Sequence, residues 1–329
     1  MKITLDLEKL QAAGALSAED AERLAALAEP RSGLQIVANV LLIIGALAVA
    51  AGVIALEPSP GTGLTLALAA LGGGAAIYFR GGESWRVLAH GLVIMGAVGV
   101  SGWAAWQGAE TWPEGAQWLV HPISLAMFVG GATLFRQAFL AALAPLALGA
   151  WVGSGTAYGF ASYTLFVREA TISVLVFTAL ALTLYWARRR LGESRRLLLT
   201  VAARVSVFMI HLAFWVGSLW GDYVGELWAA GDDWAAAREW RDQAVHVPEV
   251  VFSLGWLVVC AAGIWFGTRD GRRFLANTSI VFLSIHAYTQ FFETLGANAL
   301  TLLVGGAGMV AAAAGIARFD AWVRARAAA

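Results

Sequence analysis

Two apolar stretches of the chain carry polar side chains at helical spacing, and those side chains are the ones able to do chemistry. In the first, Thr200, Arg204, His211, Ser218 and Asp222 stay within about 40° of one another when wound at about 100° per residue. In the second, FLANTSIVFLSIHAYTQFFETLG, one stripe holds Ser279, His286, Gln290 and Glu293, and a secondary stripe holds Asn277, Ser284 and Tyr288. Lipid suits neither stripe. A helix so polar on two sides belongs among other helices, so residues 277 to 293 read as the centre of a bundle.

Imidazoles at membrane depth, with Asp222 and Glu293 toward one surface and Arg204 toward the other, could carry protons or hold a polar solute. His211 and His286 could also act as a bis-histidine pair for haem or a metal, although no CxxCH accompanies them. The plain alternative is that the same groups make interhelical hydrogen bonds that specify packing. No serine elbow or HExxH is present, so no catalytic residue is assigned and no cofactor is expected. His90 and His121 read as interfacial or internally satisfied histidines. Cys260, the one cysteine, excludes an intrachain disulfide and any multi-cysteine metal site and reads as a small core residue.

The elements that must position these groups are membrane helices. Charged residues make up 13% and hydrophobic residues 59% of the chain, and mean hydropathy is +0.70, so an all-α polytopic membrane protein is expected. About ten spans can be drawn, near 33–55, 62–79, 87–106, 118–135, 137–158, 169–187, 197–220, 249–267, 274–294 and 297–317. With the N-terminus inside, arginines collect on one side, notably in Arg188, Arg189, Arg190, Arg195, Arg196, Arg269, Arg272 and Arg273. Only Arg168, Arg238 and Arg241 remain outside. The positive-inside rule therefore places both termini in the cytoplasm. A turn at Arg136 must separate two spans, since one bent span would reverse everything after it. The net charge of zero gives no sign of nucleic acid as a partner, and the lipid bilayer is the partner composition requires.

Residues 1–32 read as a cytoplasmic helical hairpin, turned at Gly14 and capped at Ser17, that lies as a solvated amphipathic element on the membrane or the bundle, the alternative being a docking module for a cytoplasmic protein. Residues 33–318 form the bundle, with an amphipathic helix at about 232–246 in the one long outer loop, and 319–329 form a cytoplasmic tail. Small residues such as Gly72 to Gly74 and Gly305, Gly306 and Gly308 provide close helix approach, and Pro145 bends its span.

The N-terminal LEKLQAAGALSAEDAERLAAL with the Gly45-Ala46 span after it resembles one end of the bacterial membrane family known as domain of unknown function 2157. The closing GRRFLANTSIVFLSIHAYTQFFETLGANALTLLVGGAGMVAAAAGIARF, with Phe291-Phe292 and Gly305-Gly306, resembles the other end. The resemblance covers about a quarter of the chain and leaves the middle unmatched. It implies an inner-membrane protein and brings no functional residues with it.

The expected function is that of a small-solute or ion-coupled permease, its polar cavity lying between the seventh and ninth spans and opening toward Asp222 and Glu293. One competing class is a non-transporting scaffold or sensor that docks a partner through residues 1–32. The other is a bis-histidine haem or metal redox protein.

Overall fold

The computed structural model describes residues 10–11, 14–27, 33–112, 115–159, 162–229, 234–296 and 298–327. The chain divides into two compact units, residues 1–96 and 97–329, with the division falling inside one helix. Helices dominate both, and the described strands form two short antiparallel pairs.

In the first unit, most of the expected first hairpin helix lies outside the described residues. Gly14 takes the left-handed conformation (φ 69°) that lets the chain turn, and α1 follows at Ala18–Leu27. Ser17 Oγ accepts the Asp20 N–H at 3.1 Å, satisfying one of the donors a helix start leaves open. Helix α2 is Gly33–Leu56 and α3 is Pro60–Arg80, the latter started by Ser59, whose hydroxyl accepts from Thr62 N–H, with Pro60 in the first turn. A 3₁₀ turn at Glu83–Trp85 leads into α4, Arg86–Thr111, which continues into the second unit. Asn39 of α2 is buried and donates to the Ser84 carbonyl at 2.7 Å. Gly74 lets α3 meet α4 at backbone contact, because a Cβ there would lie 2.8 Å from Val93 N.

The second unit continues with α5, Ala116–Leu134, and α6, Ala138–Trp151. They are two helices packed together and joined at Arg136, which sits at φ 51°, and Gln137 caps α6 by accepting from Phe139 N–H. The stretch 137–158, expected as one span, divides here. After Trp151 the chain turns at Gly153 (φ 82°) into strands β1, Ser154–Gly159, and β2, Ser162–Val167. Thr156, Tyr158, Tyr163, Thr164, Phe166 and Val167 favour extended backbone, and the paired ladder overrides the apolar run.

Then come α7, Ala170–Ala187; α8, Glu193–Trp220; β3, Asp222–Tyr223; α9, Glu226–Ala229; α10, Trp234–Gln243; and β4, His246–Val247. The expected outer amphipathic helix, about 232–246, corresponds to α10, and the first two residues of that range lie outside the described residues. Pairing of β3 with β4 and an ion pair of Arg241 with Glu226 close this long loop on itself. Helices α11, Glu249–Arg269, α12, Arg273–Leu295, and α13, Ala299–Ala327, complete the chain; α13 runs on through the stretch expected as a tail.

Among the described residues, six helical segments are long and apolar enough to cross a membrane: Gln35–Leu56, Pro60–Arg80, Glu83–Thr111, Ala170–Ala187, Arg195–Trp220 and Glu249–Arg269. Helices α5 and α6 and the apolar part of α13 are shorter. Helix α12 is long enough, but its polar stripes lower its hydropathy.

The centre of the second unit is α8, not the helix spanning residues 277 to 293. Helices α6, α7, α11 and α12 all pack on α8, and Met209, Ile210 and Phe214 on it meet Phe177, Phe252 and Phe282 in the core. Helix α12 buries one stripe only, through Ala276, Ser279, Phe282 and His286, while Asn277, Ser284 and Tyr288 are exposed. Two of those outer groups have local contacts: Ser284 Oγ donates to the Ile280 carbonyl at 3.0 Å, and Tyr288 packs edge-on against Phe292.

Close approach of α11 and α12 depends on Gly267, where a Cβ would lie 2.5 Å from Ala276 N. Gly267→Ala is expected to cost about 1–3 kcal/mol by forcing two backbones apart. Gly306→Ala, where a Cβ meets nothing within 4 Å, should cost nothing measurable in the same detergent melting experiment.

Candidate binding cavity

The polar face of α8 is divided by the fold into three environments. At its middle, His211 is 1% exposed and its Nδ1 accepts the Trp256 Nε1–H at 3.1 Å. An indole N–H can only donate, so Nδ1 is the acceptor and the neutral ring carries its proton on Nε2. The Phe282 ring stacks on the imidazole at 4.6 Å and 9°, and Cys260 Sγ lies 3.9 Å from Nδ1. His286 packs on the other residue of this cluster, its ring 4.8 Å from that of Trp256. The two histidines therefore share a wall made by Trp256, from α11, and each contacts that indole. Among the described residues no group of three or more histidine, cysteine or acidic side chains converges as metal ligands.

Toward the N-terminal end of α8 the helices part around a cavity of about 550 Å³. It lies among α7, α8, α11 and α12 and is lined by Thr200, Arg204 and His211 of the expected first stripe and by Ser279 of the second. Arg188, Arg272 and Arg273 join Arg204 in the lining, and among the described residues no acidic side chain does. Aromatic rings hold these guanidiniums: Arg204 lies over Phe274 at 4.9 Å, and Arg188 and Arg272 lie over Tyr185 at 4.1 and 4.6 Å. Arg272 also pairs with Asp270 at 2.5 Å. Two lining donors have unmet capacity, the buried Nε of Arg188 and the hydroxyl of Ser279, whose residue is 0% exposed.

At the opposite end of α8, the Asp222 carboxylate accepts Ala170 N–H at 3.2 Å and Thr171 N–H at 2.8 Å and so caps α7 from 51 residues away. Glu169, 0% exposed, returns the favour by accepting Gly225 N–H at 2.8 Å and Leu227 N–H at 2.7 Å at the start of α9. Beside them Ser154 and Ser173 share a buried hydroxyl contact at 2.7 Å. Ser218 bonds its own helix at the Trp215 carbonyl, Gln290 is half-buried and Glu293 is exposed. The structure thus gathers Thr200, Arg204, His211 and Ser279 at one cavity, sets His286 behind Trp256, and leaves Ser218, Asp222, Gln290 and Glu293 away from it. The cavity lining lies toward the arginine end of these helices, whereas at the other end the Asp222 and Glu169 carboxylates hold backbone N–H groups.

Reasoning from sequence alone missed Glu169, Trp256 and the cavity arginines on α7 and α12. Trp256 carried a signal: a tryptophan in the middle of an apolar span needs a partner for its N–H. Glu169 carried none, since its partners lie 56 and 58 residues further on. Compared with protein-family models, curated proteins and solved structures, the chain matches none.

Proposed function

We propose that this chain is an integral protein of a bacterial inner membrane that admits a small polar solute to the cavity among α7, α8, α11 and α12, as one open state of a permease. The observation that carries this reading is a cavity of about 550 Å³ reaching from a rim of arginines inward to His211, with Asp222 and Glu169 holding backbone N–H groups at the other end of the same helices. A volume in the range of about 300–1,000 Å³ is that of small-molecule sites. A site among helices, open at one end and tied at the other, is the arrangement alternating access requires. The arginine distribution supports a cytoplasmic position for the open end.

Val207 lines the cavity between Arg204 and His211. In a Cys260→Ser background, a Val207→Cys variant in oriented vesicles should react with a membrane-impermeant thiol reagent applied to the arginine side. A permease also exposes this position from the far side as it cycles. Labelling from the arginine side alone would leave a binding protein and remove transport from the reading.

A further inference from the structure

We propose that the occupant of this cavity is an amphipathic organic anion, its phosphate or carboxylate head held by the arginines at the rim and its apolar body directed toward His211. This rests on the reading of the cavity as a solute site and names the chemistry it selects. Among the described residues four arginines and no acid line the space, and the carboxylate that pairs with one of them, Asp270, is held by Arg272. A cation meets only repulsion there. The aromatic faces of Phe274 and Tyr185 hold the guanidiniums in place, so that N–H groups at their edges can grip an oxyanion bidentately. The buried, unpartnered Nε of Arg188 is one such donor with no acceptor of its own.

Beyond the rim the lining changes character. Leu182, Val207, Ile210 and Val259 make an apolar wall, which a bare inorganic anion would leave unfilled. Besides the arginines, the polar lining groups are those of Thr178, Tyr185, Thr200, His211 and Ser279, which can meet hydrogen-bonding groups on the ligand. Two sources supply such a molecule: a free organic phosphate or carboxylate, and an anionic phospholipid entering from the bilayer.

The test uses the full-length Cys260→Ser, Val207→Cys protein in a neutral maltoside detergent, following alkylation of residue 207 by a maleimide. Octyl phosphate should slow the reaction at least about tenfold, while inorganic phosphate and the neutral octyl glucoside at equal concentration should not. Adding Arg204→Gln should raise the half-protecting concentration of octyl phosphate by about tenfold or more, the loss expected for one charge-assisted hydrogen bond, without changing the melting midpoint. If that variant melts early, Arg188→Gln makes the same measurement. In nanodiscs without added octyl phosphate, protection by phosphatidylglycerol but not by phosphatidylcholine identifies the lipid source, and equal labelling in both identifies a free anion. Reaction that proceeds equally with octyl phosphate, or is slowed as well by octyl glucoside, overturns the ligand class while the cavity stands. Failure of residue 207 to react under any condition overturns the cavity and the ligand together.

Discussion

Trp256→Ala is expected to destabilise the protein by about 3–5 kcal/mol. Trp256 is 0% exposed, packs within the core of the second unit, and contacts Phe282 and both buried histidines of the cluster. Truncation to alanine removes that packing, opens a void beside His211, and strips the acceptor Nδ1 of its donor. Trp256→Phe separates the two contributions. It keeps most of the ring and deletes the N–H, and should cost about 1–2 kcal/mol, chiefly from leaving the His211 nitrogen unsatisfied. Unfolding titrations with a denaturing detergent, compared for the three proteins, check both values. Equal losses in the two variants would mean the hydrogen bond dominates and the packing contributes little.

The second large effect lies at the Asp222 end of α8. Glu169→Ala removes two hydrogen bonds from backbone N–H groups to a buried carboxylate and should cost about 3–5 kcal/mol, each such bond to a charged group being worth about 1.5–3 kcal/mol. Asp222→Ala removes the cap of α7 and should cost less, about 1–3 kcal/mol, because a longer helix can fray by one turn. Glu169 also makes stability depend on pH. Burial pushes its pKa up; the Leu227 and Gly225 N–H groups oppose that shift, and the nearby Asp222 and Glu226 charges add to it. The folded protein therefore holds this proton more tightly than the unfolded chain does. The associated stabilisation is full below the ordinary value of 4.5 and is lost as pH rises through the raised folded value. Lowering the pH from about 8 to about 5 should thus widen the stability gap between the wild type and Glu169→Gln, as read from paired melting curves. A gap that narrowed would show that the backbone donors, and not burial, govern the carboxyl group.

Much of the architecture was legible because it follows from hydropathy and local chemistry. The apolar runs at 33–55, 62–79, 169–187, 197–220 and 249–267 each appear as a helix, since a segment with no water to satisfy its backbone must satisfy it internally. Ser17 and Gly14 are local signals, and they act where their types suggest. The run 137–158 shows the limit of hydropathy. Its average is apolar, but its second part is rich in residues that suit a ladder, and pairing with 162–167 decided the outcome.

The candidate site was legible only in part, and for a reason that the residues make plain. Helical spacing put Thr200, Arg204 and His211 on one face of α8, and all three line the cavity. The same spacing put Asp222 on that face, where it is drawn instead to the open N–H groups of α7. On α12 it marked two stripes as equals, yet only the one bearing Ser279 and His286 is buried. Periodicity states which side chains share a face and is silent on what faces them.

By itself, then, the sequence determined that this chain is helical, that several of its helices are apolar enough to cross a membrane, and that arginines gather at one end of them, because each of these depends on a residue and its near neighbours. The tertiary structure alone decided that α8 is the hub, that Trp256 stands against both His211 and His286, that Glu169 and Asp222 bind backbone donors at one end, and that Arg188 after α7, Arg204 of α8, and Arg272 and Arg273 at the start of α12 meet around a cavity. Those contacts join residues about 20 to 90 positions apart, and only the packing of whole helices fixes which of them meet.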